Sequence, residues 1–250
     1  MSFGAELILI LSGLIAGIID SIAGGGGLIT LPVLSQFLEP GAHAIGTNKI
    51  VGFMGASIAF LVYLRTQPFH LKKGLIFILA VGLGSFVGSI CSPYVPKIYF
   101  RYFLIAACPL VLWVLWNKQL FIQEVSAHIP KPTSLIIAGL FVGFYDGFFG
   151  PGGGTFMLLG LLWGVRLPLL EALLLSKLAN SVSAGVSLVS YGFQGYVHPK
   201  FGLIMALGMT FGGFLGAHFA SKKAEKVVRP VLALVVIILL LVQIKNVLEA

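Results

Sequence analysis

Ten apolar runs follow one another along almost the whole chain, at about 5–23, 28–38, 44–65, 72–92, 98–117, 134–149, 155–165, 171–192, 200–221 and 228–245. Few architectures accommodate that pattern. Only 10% of the 250 residues are charged, where a soluble domain carries about 25%. So few charges cannot cover a water-facing surface of this size, which excludes a soluble globular enzyme. Apolar residues reach 58%, enough for about seven to nine crossings at roughly 20 residues each. Transmembrane β-strands would alternate in short segments, whereas these runs are long and unbroken. The expected fold class is an all-α polytopic membrane protein.

Two runs, 28–38 and 155–165, are too short to cross a hydrocarbon core about 30 Å thick. Each follows a glycine cluster, Gly24 to Gly27 in one case and Gly150-Pro151-Gly152-Gly153-Gly154 in the other. Glycine inside an apolar segment breaks the helix, and Pro151 reinforces the break. The two breaks belong to a repeat. Gly13, Gly17, Asp20, Gly24, Gly26 and Gly27 recur 126 residues later as Gly139, Gly143, Asp146, Gly150, Gly152 and Gly153. Beyond a two-residue insertion the offset is 128: Lys49, Tyr63, His70, Lys72, Gly74, Gly84, Phe86, Gly88 and Arg101 recur as Lys177, Tyr191, His198, Lys200, Gly202, Gly212, Phe214, Gly216 and Arg229. Shared apolar composition matches Leu and Ile by chance, but not Asp, Lys, Tyr, His and Arg in register. The chain reads as an internal duplication, with repeats at 1–117 and 134–250 joined by a loop at 118–133. Each repeat is a glycine-broken helix pair plus three transmembrane helices. Duplicated membrane halves point to a transporter.

Charge placement orients the halves. If each glycine break makes a re-entrant hairpin, each half contributes three crossings and the halves are inverted. Arg65/Lys72/Lys73, Lys118/Lys131, Arg166 and Lys222/Lys223/Lys226/Arg229 then share one side. That puts 10 basic residues on one face and 4 (Lys97, Arg101, Lys200, Lys245) on the other, with Lys49 and Lys177 inside the membrane. Four crossings per half would give parallel repeats and a count of 7 against 7. The excess of positive charge on cytoplasmic loops favours the inverted arrangement, with both termini outside the cytoplasm. Met1 to Glu6 carry no Lys or Arg, so the first run is expected to stay as a helix rather than act as a signal peptide. The net charge of +8 lies in loops, in blocks too short to track phosphates, so no nucleic-acid partner is expected. Cys91 and Cys108 lie in apolar runs as small packing residues. No His/Cys cluster has metal-ligand spacing, and no cofactor is expected. Trp113, Trp116 and Trp163 sit near span ends, as an aromatic belt would place them.

The chain contains only two Asp residues, Asp20 and Asp146, both inside apolar runs and both at the same place in the repeat. A carboxylate in hydrocarbon costs at least about 2.5 kcal/mol, so it needs a partner, a proton or a water-filled cavity. Either it pins a glycine-rich hairpin or it serves coupling and gating. Lys49 and Lys177 form the second matched pair, about one turn inside their runs, in Thr47-Asn48-Lys49 and Ser176-Lys177-Leu178-Ala179-Asn180. Snorkelling to the interface is one reading. Pairing with a carboxylate or an anion is the other, because hydroxyl and amide neighbours surround both. Half-helices starting just past Gly27 and near Thr155 would aim backbone N–H groups inward, where they attract anions. The candidate substrate site is therefore Gly25, Gly26, Gly27, Asn48, Lys49, Gly152, Gly153, Gly154, Thr155, Lys177 and Asn180. Of the histidines, His70 and His198 are matched and interfacial, while His43 and His218, like Glu171, are unmatched.

These motifs, Ile19-Asp20-Ser21-Ile22-Ala23-Gly24-Gly25-Gly26-Gly27-Leu28, Thr47-Asn48-Lys49, Gly143-Phe144-Tyr145-Asp146-Gly147-Phe148-Phe149-Gly150-Pro151-Gly152 and Lys177-Leu178-Ala179-Asn180, resemble the TauE/SafE family of bacterial membrane proteins. The resemblance covers nearly the whole chain. It implies a two-half carrier in the bacterial inner membrane that exports sulfite or a small organosulfur anion such as sulfoacetate. The second half has Ser176-Lys177 where the first has Asn48-Lys49, so the two sites need not be equivalent. The expected partners are a small anionic substrate and the lipid bilayer, with oligomeric state open between monomer and homo-oligomer. A passive anion channel of the same architecture is the first alternative. An intramembrane aspartyl protease, which also uses two embedded Asp residues, is the second. It requires Gly-x-Gly-Asp in one motif, whereas Asp20 follows Gly17-Ile18-Ile19. A transporter, not an enzyme, is the expectation.

Overall fold

The structure, a computed structural model, describes residues 3–66, 71–94, 132–165 and 167–248. All regular structure among them is helical. The first half contributes α1 (Phe3–Ala23), α2 (Gly27–Leu34), α3 (Ala42–Leu64) and α4 (Leu71–Cys91), with a 3₁₀ turn at Ser92–Tyr94. The second contributes α5 (Pro132–Phe148), α6 (Gly153–Leu159) with a π turn at Gly160–Gly164, α7 (Leu169–Phe193) and α8 (Pro199–Leu248). Five of these, α1, α3, α4, α7 and the first arm of α8, are long and apolar enough to cross a membrane. Exposed Leu, Ile and Phe side chains cover their outer faces, among them Ile15, Leu83 and Phe211. In water such a surface would aggregate; in lipid it is the solvent-facing surface. The chain is a multi-pass membrane protein.

Both glycine clusters break their helices. Gly24 and Gly25 have φ of 81° and 90°, and Gly150 and Gly152 have 90° and 77°, a left-handed backbone that glycine adopts without strain. The chain thus reverses at each cluster and a short helix returns. The apolar runs at 200–221 and 228–245 are two helical arms of α8 that meet at a break at Lys223, whose φ and ψ of −138° and 35° are non-helical. The break is confined to that one residue, because strong helix formers between Lys222 and Lys226 flank it. The α5 helix opens at Pro132, two residues before its apolar run, because proline is well suited to a first helical turn. The run at 98–117, most of the 118–133 loop, His70, Cys108, Trp113, Trp116 and Arg166 lie outside the described residues.

Small residues set which helices meet. A Cβ on Gly13 would lie 2.2 Å from the Met205 carbonyl oxygen, and one on Gly17 would lie 2.4 Å from that of Met209. On the facing helix, Gly208 and Gly212 press against the Ile10 and Leu14 carbonyls. Thus α1 and the first arm of α8 lie backbone to backbone and run in the same direction. The same contact joins α5 to α4, where Gly139 and Gly143 meet Phe77 and Val81, and Gly84 and Gly88 meet Leu140 and Phe144. Glycine faces allow this approach in membranes, where close packing is the main association energy. Helices α3 and α8 are also parallel, with Ile50 against Gly202 and Ile58 against Gly213. Helices α3 and α7 are antiparallel, with Gly46 against Tyr191 and Ser57 against Ser181.

Candidate functional site

The site grows from the two hairpin tips. They touch: a Cβ on Gly24 would fall 2.2 Å from the Thr155 nitrogen, and Thr155 Oγ1 donates to the Ala23 carbonyl at 3.1 Å. Matched tyrosines brace each tip from the long helices. Tyr63 donates its hydroxyl to the Ser21 carbonyl at 2.8 Å, and Tyr191 donates to the Gly147 carbonyl at 2.9 Å. Within the second hairpin Tyr145 donates to the Pro151 carbonyl. Backbone carbonyls freed by the glycine breaks are thereby satisfied.

The four embedded charges form two ion pairs, and each pair joins the halves. Lys49 Nζ on α3 lies 3.0 Å from Asp146 Oδ2 on α5. Lys177 Nζ on α7 lies 3.2 Å from Asp20 Oδ2 on α1. Each ammonium also donates to the main-chain carbonyl of the same aspartate. All four residues are at most 5% exposed, so neither lysine snorkels to an interface. Burial is expensive for each ion alone, and pairing with additional hydrogen bonds offsets that cost.

The two carboxylates differ in their third contact. Asp20 Oδ1 accepts the Gly26 backbone N–H at 3.0 Å. Asp146 Oδ2 instead accepts the Ser183 hydroxyl at 2.6 Å. The two asparagines also sit at different repeat positions, Asn48 one residue before Lys49 and Asn180 three residues after Lys177. Those offsets are four residues apart, so both amides emerge on the same helical face. Accordingly, Asn48 Nδ2 approaches Gly27 and Asn180 Nδ2 approaches Gly154. Asn48 Oδ1 accepts the Thr30 hydroxyl at 2.6 Å.

Between the tips lies a cavity of about 30 Å³. That exceeds the roughly 10–15 Å³ one water needs and is about a tenth of the smallest drug-sized sites. Its lining includes Asp20, Asp146, Gly25, Gly27, Asn48, Lys49, Gly152, Gly153, Gly154 and Asn180, all singled out by the sequence. Gly26, Thr155 and Lys177 are not on the wall. Gly26 and Lys177 hold Asp20 from behind, and Thr155 ties one hairpin to the other. Thr30, Gly52, Gly150, Ala184 and Met209 complete the wall. Ser183 escaped the sequence reading, because serine in an apolar helix is common and its register gives no repeat signal. His43 does have a partner: its Nδ1 lies 2.9 Å from His198 Nε2. His218 is exposed on α8 and stacks on Phe214, away from the cavity. Among the described residues, no three His, Cys, Asp or Glu side chains cluster as metal ligands.

Known proteins share this sequence throughout. The family described as "Sulfite exporter TauE/SafE" matches residues 9–242. A probable membrane transporter protein, ORF9, from Sinorhizobium is 34% identical over 96% of this chain and 92% of its own. A probable membrane transporter protein of Haemophilus influenzae is 34% identical, covering 94% and 93%. YfcA of Escherichia coli, also a probable membrane transporter protein, is 32% identical, covering 89% and 83%. No solved structure matches the chain. Apolar spans, a broken-helix centre and this full-length likeness agree: the chain belongs to the TauE/SafE family of membrane transporters.

Proposed function

We propose that the chain is a secondary transporter that carries a small anion, sulfite or an organosulfonate, outward across the bacterial inner membrane. The cavity between the hairpin tips carries this reading. Discontinuous helices at matching places in two halves are where such carriers hold their substrates. Both lysines are already paired, so the four embedded charges cancel and the resting site offers donors rather than free charge. The Asn48 and Asn180 amides and the backbone N–H of Gly27, at the start of α2 on the cavity wall, suit an oxyanion. The cavity's size suits an ion of a few atoms. The relatives' names give the class of activity and leave the substrate to experiment.

Alternating access between inverted halves is part of the proposal. Parallel contacts of α1 with α8, α3 with α8 and α4 with α5, and the antiparallel contact of α3 with α7, support it. Taken together they are helix directions that inverted halves would have. An interior-negative potential favours anion exit by about 2.3 kcal/mol per charge per 100 mV, so export needs no ATP. The protease reading has less support: each carboxylate is bonded to a lysine, not to the other carboxylate.

Uptake into proteoliposomes tests the proposal, with sulfite, thiosulfate, sulfoacetate, sulfate and chloride offered in turn. Sulfite or sulfoacetate should accumulate faster than in empty vesicles. If none of the five does, the small-anion reading fails. Turnover separates carrier from channel, since a channel would exceed carrier rates by orders of magnitude.

A further inference from the structure

The duplicated halves differ along one seam. Between α4 and α7 the facing side chains are Ser85 and Ser89 on α4, with Ser92 in the 3₁₀ turn that follows it, and Ser183, Ser187 and Ser190 on α7. All six are buried. At the repeat-related positions between α8 and α3 stand Gly213, Ala217, Ala220, Gly55, Ala59 and Val62. Not one of these carries a hydroxyl. General packing needs do not explain the contrast, because both seams join equivalent helices and the second packs well without polar atoms.

The serines form a chain that ends on a carboxylate. Ser183 Oγ is 2.6 Å from Asp146 Oδ2 and 2.9 Å from Ser85 Oγ, and Ser85 Oγ is 2.6 Å from Ser187 Oγ. One turn further, Ser190 Oγ accepts from Gln194 Nε2 at 3.2 Å, and Gln194 is half-exposed at the end of α7. Ser187 and Ser190 are about 4.5 Å apart along the axis of α7, and a relay through both needs one water between them. We propose that this hydroxyl seam conducts the coupling proton between Asp146 and the membrane face at the C-terminal ends of α4 and α7, and that Asp20 stays ionised throughout.

The chemistry of the third contacts sets the asymmetry. A hydroxyl both donates and accepts, so Ser183 can turn from donating to Asp146 to accepting from it. A backbone N–H only donates, so Gly26 holds Asp20 as a carboxylate. A proton entering at Gln194 moves by exchange: each serine takes one proton from behind and passes its own ahead. The last O–H bond forms on Asp146, which becomes neutral. Other polar and ionisable groups facing Asp146 are Lys49 from α3 and Tyr191 from α7; α4 brings Ser85, and α6 brings the backbone around Gly153. Neutral Asp146 leaves Lys49, a cavity-wall residue, without its counter-charge. The four embedded groups then sum to one positive charge and the site takes up the anion, so proton and anion bind together. This step rests on the small-anion reading above and sharpens it: with a doubly charged anion the loaded site still carries negative charge, which the membrane potential drives outward.

The test uses the full chain in proteoliposomes with two readouts. In the first, sulfite and sulfoacetate uptake is measured with acid outside, and anion exchange is measured at equal pH. Wild type should respond to the pH gradient. Ser85→Ala and Ser187→Ala should each slow gradient-driven uptake about tenfold or more while exchange stays within about twofold. Ala217→Ser, in the apolar seam, should change neither. Wild type that ignores the gradient, or serine variants that keep the full response, would overturn the relay. The second readout needs no substrate: infrared titration should show a protonated-carboxyl band that Asp146→Asn removes and the paired change Asp20→Asn with Lys177→Met retains. A band that depends on Asp20, or none that depends on Asp146, would also overturn it. Wild type that transports none of the anions defeats the small-anion reading, while the infrared titration still decides the protonation of Asp146.

Discussion

A buried ammonium is held by its hydrogen bonds, and those of Lys177, 1% exposed, go to the carbonyl and carboxylate of Asp20. Removing one partner of such a pair strands a charge in low dielectric, which costs about 3–5 kcal/mol. Lys177→Met alone should therefore lower the thermal unfolding midpoint of the detergent-solubilised protein sharply. Adding Asp20→Asn should recover most of the loss, because the neutral pair strands nothing. A double variant no better than the single one would remove the ion pair from the account of stability. These residues were legible in the sequence because charge is scarce there and because Asp and Lys kept register between the halves. Their partners were not legible: Lys49 bonds Asp146 and Lys177 bonds Asp20 across the halves, an outcome of helix crossing that no local pattern encodes. Asn180 was legible as an amide near a lysine. Its equivalence to Asn48 became visible only when both offsets were placed on one helical face.

The broken helices are where sequence pattern and element agree best. Glycine clusters in apolar runs have one ready explanation, a reversal, and the left-handed Gly24 and Gly150 supply it. At α8 the charged stretch between two apolar runs does mark a break, at the single non-helical residue Lys223. The glycines along α1 and α8 hold a different role, backbone contact. Gly212→Leu would drive a side chain into the Leu14 carbonyl, from which a Cβ would already be only 2.0 Å away. Such overpacking costs about 1–3 kcal/mol or more. Membrane-inserted Gly212→Leu should be cleaved by protease faster than wild type, and Gly4→Leu, with open space around it, should not. Equal cleavage would mean the α1–α8 contact is looser than described.

Taken whole, the molecule's proposed inversion makes a prediction independent of transport. Arg65 and Phe193 stand at the proposed repeat offset of 128 residues, at the ends of α3 and α7, and both are exposed. In a background with Cys91 and Cys108 replaced by Ser, Arg65→Cys should react with an impermeant maleimide from the cytoplasmic side only. Phe193→Cys should react from the opposite side only. Labelling of both from one side would make the repeats parallel. The two halves expressed as separate chains should also restore each other's stability, since each supplies the other's counter-ions.

The crossed ion pairs impose an order on synthesis as well. Asp20 leaves the ribosome 157 residues before Lys177, and Lys49 leaves 97 residues before Asp146. At roughly 5–20 residues per second, Asp20 waits about 8–30 s without its counter-charge. During that interval the first half cannot close around its own hairpin, and Asp20 must sit protonated, wet or beside the insertion machinery. Each half is thus completed only by the other's arrival.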